Sequence, residues 1–162
     1  MLIINGIMNK DFTRRFGFLV SDVARLYGQQ FDRLAREEIG LSQAQCRLLG
    51  VLAAHDGDEA LSQTELAQRL GLSTMAVASL CDRMAAAGWV RREPSDTDRR
   101  INRLHLQPRA RKALAGALAI GDGLSTRALA RLSAAERAQL LALLAKTRVQ
   151  LMNLGATEES AA

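Results

Sequence analysis

The pattern Leu-Ser-x-x-Gln/Glu occurs three times, as LSQAQ at 41–45, LSQTE at 61–65 and LSAAE at 132–136. Each places a serine at a helix N-cap: its hydroxyl accepts an amide three residues on, while the Gln or Glu side chain reaches back to the serine amide. Ser42, Ser62 and Ser133 therefore set three helix starts. The only prolines are Pro94 and Pro108, and aromatic residues are 4% against 48% hydrophobic residues, so little in the chain opposes helix. The expected class is mostly α with a minor β part.

Ahead of the first cap, Phe12, Phe16, Leu19, Val20, Val23, Leu26, Tyr27, Phe31 and Leu34 recur at steps of three and four. That is the apolar stripe of a long amphipathic helix over about 11–37, ending near Gly40. Between 62 and 87 two short helices are separated by GLS: Gly71 supplies a left-handed turn, Ser73 caps the second helix, and small Ala67 permits a close crossing. This is a helix-turn-helix. After Gly88, WVRR and NRLHL alternate as two short strands joined by the turn-rich EPSDTDRR. Pro108 suits the first turn of a helix to about 131, and Ser133 begins a last helix to about 153. The expected organisation is an N-terminal extension (1–10), a helical region made of 11–40 and 108–153, a winged helix-turn-helix lobe (41–107) and a disordered tail (154–162).

The chain carries a formal charge of +5. From Arg69 to Lys112 there are ten Lys or Arg against four acids (Asp82, Glu93, Asp96, Asp98), a local balance of +6 that leaves the remaining residues near −1. The basic surface is therefore local to the helix-turn-helix and hairpin, which points to a polyanion at that place. Other classes find little support. Cys46 and Cys81 lie in helical segments without CxxC spacing, so neither a disulfide framework nor zinc is expected. His55, Asp56 and Asp58 in HDGDEA are a weak ligand set, and no metal is expected. A nucleophile–base set is missing, and the lone GDG at 121 lacks a strand–loop–helix context, so neither an enzyme nor a required cofactor is expected. MLIINGIM is too short for a signal segment and no apolar run reaches 18 residues, so a cytoplasmic protein with no membrane partner is expected, with Met8 as a second candidate start.

In the second helix of the pair, Val77, Leu80, Cys81 and Met84 share one stripe and are expected inside. Thr74, Met75, Ala78, Ser79 and Asp82 then form the outer face of a rod that fits the major groove of duplex DNA. Ser73 and Thr74 stand at its N-terminus, where free amides suit a phosphate. The arginines around the hairpin turn suit the minor groove, whose potential is most negative over A·T-rich sequence.

Taken in order, LSQAQCRLLGVLA, LSQTELAQRLGLS, DRMAAAGWVRREPSDTDRRINRLHL and LSAAERAQLLALL resemble a MarR-family transcriptional regulator over about residues 12–153. The D-R-M-x-x-x-G-W-V-x-R helix exit and the D-x-x-D-R-R wing carry most of the likeness. The resemblance implies a homodimer in which the N-terminal helix and the last two helices of both chains intertwine, with a recognition helix and a wing on each lobe. It makes Arg100 the minor-groove arginine, Arg99 a phosphate neighbour, and Asp98 part of the wing's D-x-R. The expected DNA-binding set is Ser62, Ser73, Thr74, Met75, Ala78, Ser79, Arg83, Asp98, Arg99 and Arg100. The chain departs from the family in having Ala76 and Ser79 where polar or basic readers are frequent, Cys46 where a Trp is frequent, and Gln107 in place of a hydroxyl cap.

The long Leu, Ala and Phe stripes of the first and last helices exceed what a small helix-turn-helix core covers, which agrees with a second chain and a pseudo-palindromic site. The family likeness further implies control by a small aromatic effector, with Phe16, Val20, Tyr27, Cys46 and Leu49 as candidate lining. Two other readings stand beside this ligand-responsive dimeric repressor. One is a winged helix redirected to a protein partner, encouraged by the apolar recognition face. The other is a redox-sensing regulator, disfavoured because both cysteines sit on apolar stripes.

Overall fold

A computed structural model describes residues 12–55, 61–94 and 102–159. A single 3-10 turn, Phe12–Arg14, precedes α1 (Phe16–Ile39); α2 (Gln43–Ala54), α3 (Gln63–Leu70) and α4 (Thr74–Ala86) follow. Strands β1 (Val90–Pro94) and β2 (Asn102–Leu106) form an antiparallel pair, before α5 (Pro108–Ala128) and α6 (Ala134–Glu159). The described residues are therefore mostly helical, with one two-stranded wing.

The three serine caps form as their spacing requires. Ser42 Oγ accepts the Gln45 amide at 3.3 Å while Gln45 Oε1 accepts the Ser42 amide at 2.7 Å. Ser62 with Glu65 and Ser133 with Glu136 repeat the arrangement, their return bonds from the serine amides both being 2.8 Å. A deleted cap of this kind typically costs about 1 kcal/mol. Hydrogen bonds from the backbone and hydroxyl of Ser62 hold the Glu65 carboxyl below its usual range, and Ser133 does the same to Glu136.

Helix ends follow the glycines. Gly40 and Gly71 adopt the left-handed conformation, at φ 69° and 65°, which ends α1 and α3 with little steric penalty. The Leu41 amide then returns to the Ala35 carbonyl at 3.3 Å. The second strand is NRLHL as the alternation predicts, while the first begins one residue later than WVRR and runs two further: Val90 pairs with Leu106 and Pro94 with Asn102, so Glu93 and Pro94 belong to the strand. Pro94 is tolerated because it stands at the end of a two-stranded ladder. The last helix also continues to Glu159, into the segment expected to fray from 154. No proline interrupts that stretch, and a lone Gly155 costs a helix only about 1 kcal/mol.

By its contacts the chain divides after Leu124. In the first unit, Leu41, Leu48, Leu49, Leu66, Leu70, Val77 and Met84 are fully buried, and Ala35, Ala110, Ala113 and Ala117 close the core around them. Each such leucine contributes about 1.5–3 kcal/mol by leaving water. The small residues let backbones approach: a Cβ on Gly116 would lie 2.9 Å from Ile39 Cγ2, and Tyr27 Oη donates to the Gly121 carbonyl at 3.1 Å. Here α1 and most of α5 pack with the winged helix, whereas the sequence grouping set 11–40 and 108–153 apart as one helical region. Phe31, Leu34 and Ala35 are the reason on the α1 side, since they turn into the same core as α2–α4. Along α1, Phe16, Leu19, Val20, Val23 and Leu26 stay exposed. The second unit, from Ser125, holds the end of α5, a turn closed by the Leu132 amide on the Leu129 carbonyl, and α6, whose Leu141, Leu143, Leu144, Leu151 and Leu154 are exposed.

Candidate nucleic-acid interface

α3 and α4 are joined by Gly71-Leu72-Ser73. The Leu72 amide donates to the Ala67 carbonyl at 3.0 Å, and Ser73 Oγ accepts the Ala76 amide at 3.2 Å, so the turn and the start of α4 are both hydrogen-bonded. Val77, Leu80, Cys81 and Met84 lock α4 to the core, all of them buried as the stripe predicts. Thr74, Met75, Ser79, Asp82 and Arg83 consequently face solvent, with Ala78 half-buried at the edge of that face. Ser79 Oγ accepts from the Arg83 guanidinium at 3.0 Å.

The exit from α4 aims the wing. Gly88 is left-handed at φ 70°, and the Trp89 amide reaches back to the Met84 carbonyl at 2.9 Å, satisfying the end of the helix. β1 then starts with Val90 in the core. Two contacts tie this exit to its surroundings. Arg92 in β1 meets Asp82 in α4 at 2.7 Å, a direct link between recognition helix and wing. Arg109, in the first turn of α5, stacks its guanidinium 3.6 Å from the Trp89 ring centre and donates to the Ala87 carbonyl at 3.0 Å. A third pair, Arg91 with Glu93 at 3.0 Å, lies along the strand, and Glu93 also receives His105 across the ladder at 3.1 Å.

The residues expected at the interface are thus distributed unevenly. Ser62 spends its hydroxyl as the cap of α3, and Ser73 does so for α4. Thr74, Met75, Ala78, Ser79 and Arg83 share the outward side of one helix. Asp98, Arg99 and Arg100 lie outside the described residues, as do Asp56 and Asp58 of the weak metal set. Sequence reasoning missed Trp89, Arg92 and Arg109. Asp82, Trp89 and Arg92 all stand in the helix-exit motif, but the motif does not say that its first and last charges pair across the Gly88 reversal.

The candidate effector residues are not brought into one setting. Cys46 and Leu49 are core residues, 6% and 0% exposed, in the same buried cluster as Leu66, Val77 and Met84. Phe16 and Val20 are exposed on α1, and Tyr27 is half-buried with its hydroxyl on Gly121. Burial, reinforced by the Asp32 charge, pushes the Cys46 thiol up to about 11, and burial raises Cys81 as well. Both thiols are held in the protonated, weakly nucleophilic form at neutral pH. No helix among the described residues is long and apolar enough to cross a membrane.

This architecture is widely shared. The chain is 23% identical to Staphylococcus aureus MepR, solved in complex with DNA, with a TM-score of 0.67 over 85% of this chain and 96% of that one. It is 25% identical to a Mycobacterium tuberculosis MarR family protein in complex with salicylic acid, with a TM-score of 0.67 over 82% and 96%. In sequence it is similar to the transcriptional regulator HosA of Escherichia coli, 32% identical over 123 residues that make up 75% of this chain and 88% of that relative. The sequence model of the MarR family matches residues 39–101, the stretch that builds α2, the helix-turn-helix and the first arm of the wing. The pairing of that helix-turn-helix with a hairpin whose direction is set at Gly88 therefore has a family behind it: this chain belongs to the MarR family of transcriptional regulators.

Proposed function

We propose that this regulator is a homodimeric repressor that binds pseudo-palindromic duplex DNA and releases it on binding a small aromatic molecule. Recognition helix α4 enters the major groove, with Ser62, Ser73, Thr74, Met75, Ala78, Ser79 and Arg83 on or beside the contact face, while Arg100 of the wing's D-x-R, which begins at Asp98, reaches the minor groove and Arg99 meets phosphate. The observation that carries this reading is the outward face of α4, held in place by a fully buried opposite stripe and flanked by the locally basic segment. The exposed row of Phe16, Leu19, Val20, Val23 and Leu26 on α1 supports a second chain, since so large an apolar row marks a contact surface. Two-fold symmetry then spaces the half-sites by about one helical turn, roughly 10 bp.

An aromatic effector is supported by the salicylic acid complex of the M. tuberculosis relative. In this chain the candidate lining is Phe16, Val20 and Tyr27 on α1 with Cys46 and Leu49 on α2. The buried, protonated thiols speak against a redox trigger.

The test is retention of genomic fragments by the full chain, followed by anisotropy titration of the selected duplex. A dimer that neutralises six to ten phosphates loses about a thousandfold or more in affinity between 50 and 200 mM salt. Arg100→Ala weakens binding while sedimentation still reports a dimer, and salicylate added as a probe lowers the affinity of the wild-type chain. A chain that sediments as a monomer and retains no duplex refutes the proposal.

A further inference from the structure

The outward face of α4 offers few free polar groups. Ser73 is occupied by the Ala76 amide at 3.2 Å, Ser79 by Arg83 at 3.0 Å, and Asp82 by Arg92 at 2.7 Å. Ala76 and Ala78 have nothing to donate or accept. Thr74 and the remaining guanidinium donors of Arg83 are the exceptions among the described residues of this face. What projects instead is Met75, 82% exposed in the first turn of α4, with Leu72 at 38% beside it in the turn. A side chain that gains by leaving water is here held out in it.

We infer that Met75 reads sequence, by apolar contact with the C5 methyl group of a thymine in each half-site. This rests on α4 occupying the major groove. The chemistry follows from what that groove displays: every base pair offers donors and acceptors, and only thymine adds a methyl group. A thioether chain with three rotatable bonds can reach and fit that methyl, while it satisfies none of the polar edges. The charge around it selects the partner. Arg83 lies on the same helix, within a segment of balance +6, so an apolar tip stands in a basic stretch of the chain. That combination fits a methyl-bearing polyanion better than an apolar protein groove. Specificity at this position is for thymine over cytosine, and it arises without a side-chain hydrogen bond.

The probe is a duplex selected from a random-sequence pool by the full chain, in which each thymine is replaced in turn by deoxyuridine, removing one methyl group and nothing else. Wild type is expected to lose about fourfold in affinity at one symmetry-related position per half-site, the worth of one buried methyl-sized group. Met75→Ala binds thymine and uracil duplexes alike, and Met75→Leu keeps the distinction. Because Met75 is exposed, Met75→Ala retains the wild-type unfolding midpoint. Equal binding of all uracil duplexes by wild type overturns the assignment, as does a uracil penalty that persists in Met75→Ala. If the chain retains no duplex from the pool, placement of α4 in the major groove is itself wrong, and the inference falls with it; that outcome is distinct from tight but methyl-blind binding.

Discussion

Removing the Arg109 side chain should loosen the exit of the recognition helix by a predictable amount. Its guanidinium covers Trp89 at 3.6 Å and donates to the Ala87 carbonyl at 3.0 Å, where the partial negative charge of α4 ends. A stack of this kind at an exposed site contributes about 0.5–1 kcal/mol. The charged donor at a helix C-terminus adds about 0.5–1 kcal/mol once solvent screening is allowed for. Arg109→Ala should therefore cost about 1.5 kcal/mol, which at a urea dependence of about 2 kcal/mol/M lowers the midpoint by about 0.7 M. Trp89 is the only tryptophan, so its fluorescence reports on this contact directly. The measurement is a urea titration at fixed protomer concentration, since dimerisation makes the midpoint concentration-dependent. Arg109→Lys keeps the charge near the carbonyl but loses the planar stack, and should recover about half of the loss. An Arg109→Ala chain as stable as wild type, with unshifted native emission, refutes the reasoning; full recovery by lysine refutes the stacking part.

Two further outcomes follow from the packing. Asp32 accepts from the Arg36 side chain at 2.7 Å and from the Gln43 amide at 2.8 Å, and these bonds, the arginine first, hold its carboxyl below the usual range. Its contribution is complete above its unfolded value of about 4 and is lost as pH falls through the lower folded value, so urea midpoints measured at falling pH should decline less steeply in Asp32→Asn than in wild type. Gly121 lies inside α5, and a Cβ there would meet Phe31 and Tyr27 at ordinary contact distances of 3.8 and 3.9 Å. Gly121→Ala should raise stability by about 0.5–1 kcal/mol through helix propensity, a rise of about 1.5–3 °C in the calorimetric midpoint, and a fall would mean that α1 and α5 approach more closely than described.

Much of the fold was legible because its punctuation is local. Ser42, Ser62 and Ser133 bond to residues three positions away, and Gly40 and Gly71 are required by backbone conformation alone, so helix starts and stops could be read without knowing what each helix touches. The buried stripe of α4 was legible for the same reason, because its period belongs to the helix itself. Local rules gave no comparable guide to the extent of the first wing strand, which depends on pairing with the second, or to the end of α6.

By itself the sequence determined a succession of capped helices, a helix-turn-helix with one apolar and one outward face, and a basic hairpin. Only the tertiary structure decided which charges stay free. Asp82 and Arg92 pair across the Gly88 reversal, and Arg109 returns from α5 to cover Trp89. It also decided that Cys46 and Leu49 are core residues and that Met75 is the open tip of α4. The physical reason is range: caps, turns and periodicity are set within a few residues, whereas burial and ion pairing depend on which distant segments the packed core brings side by side.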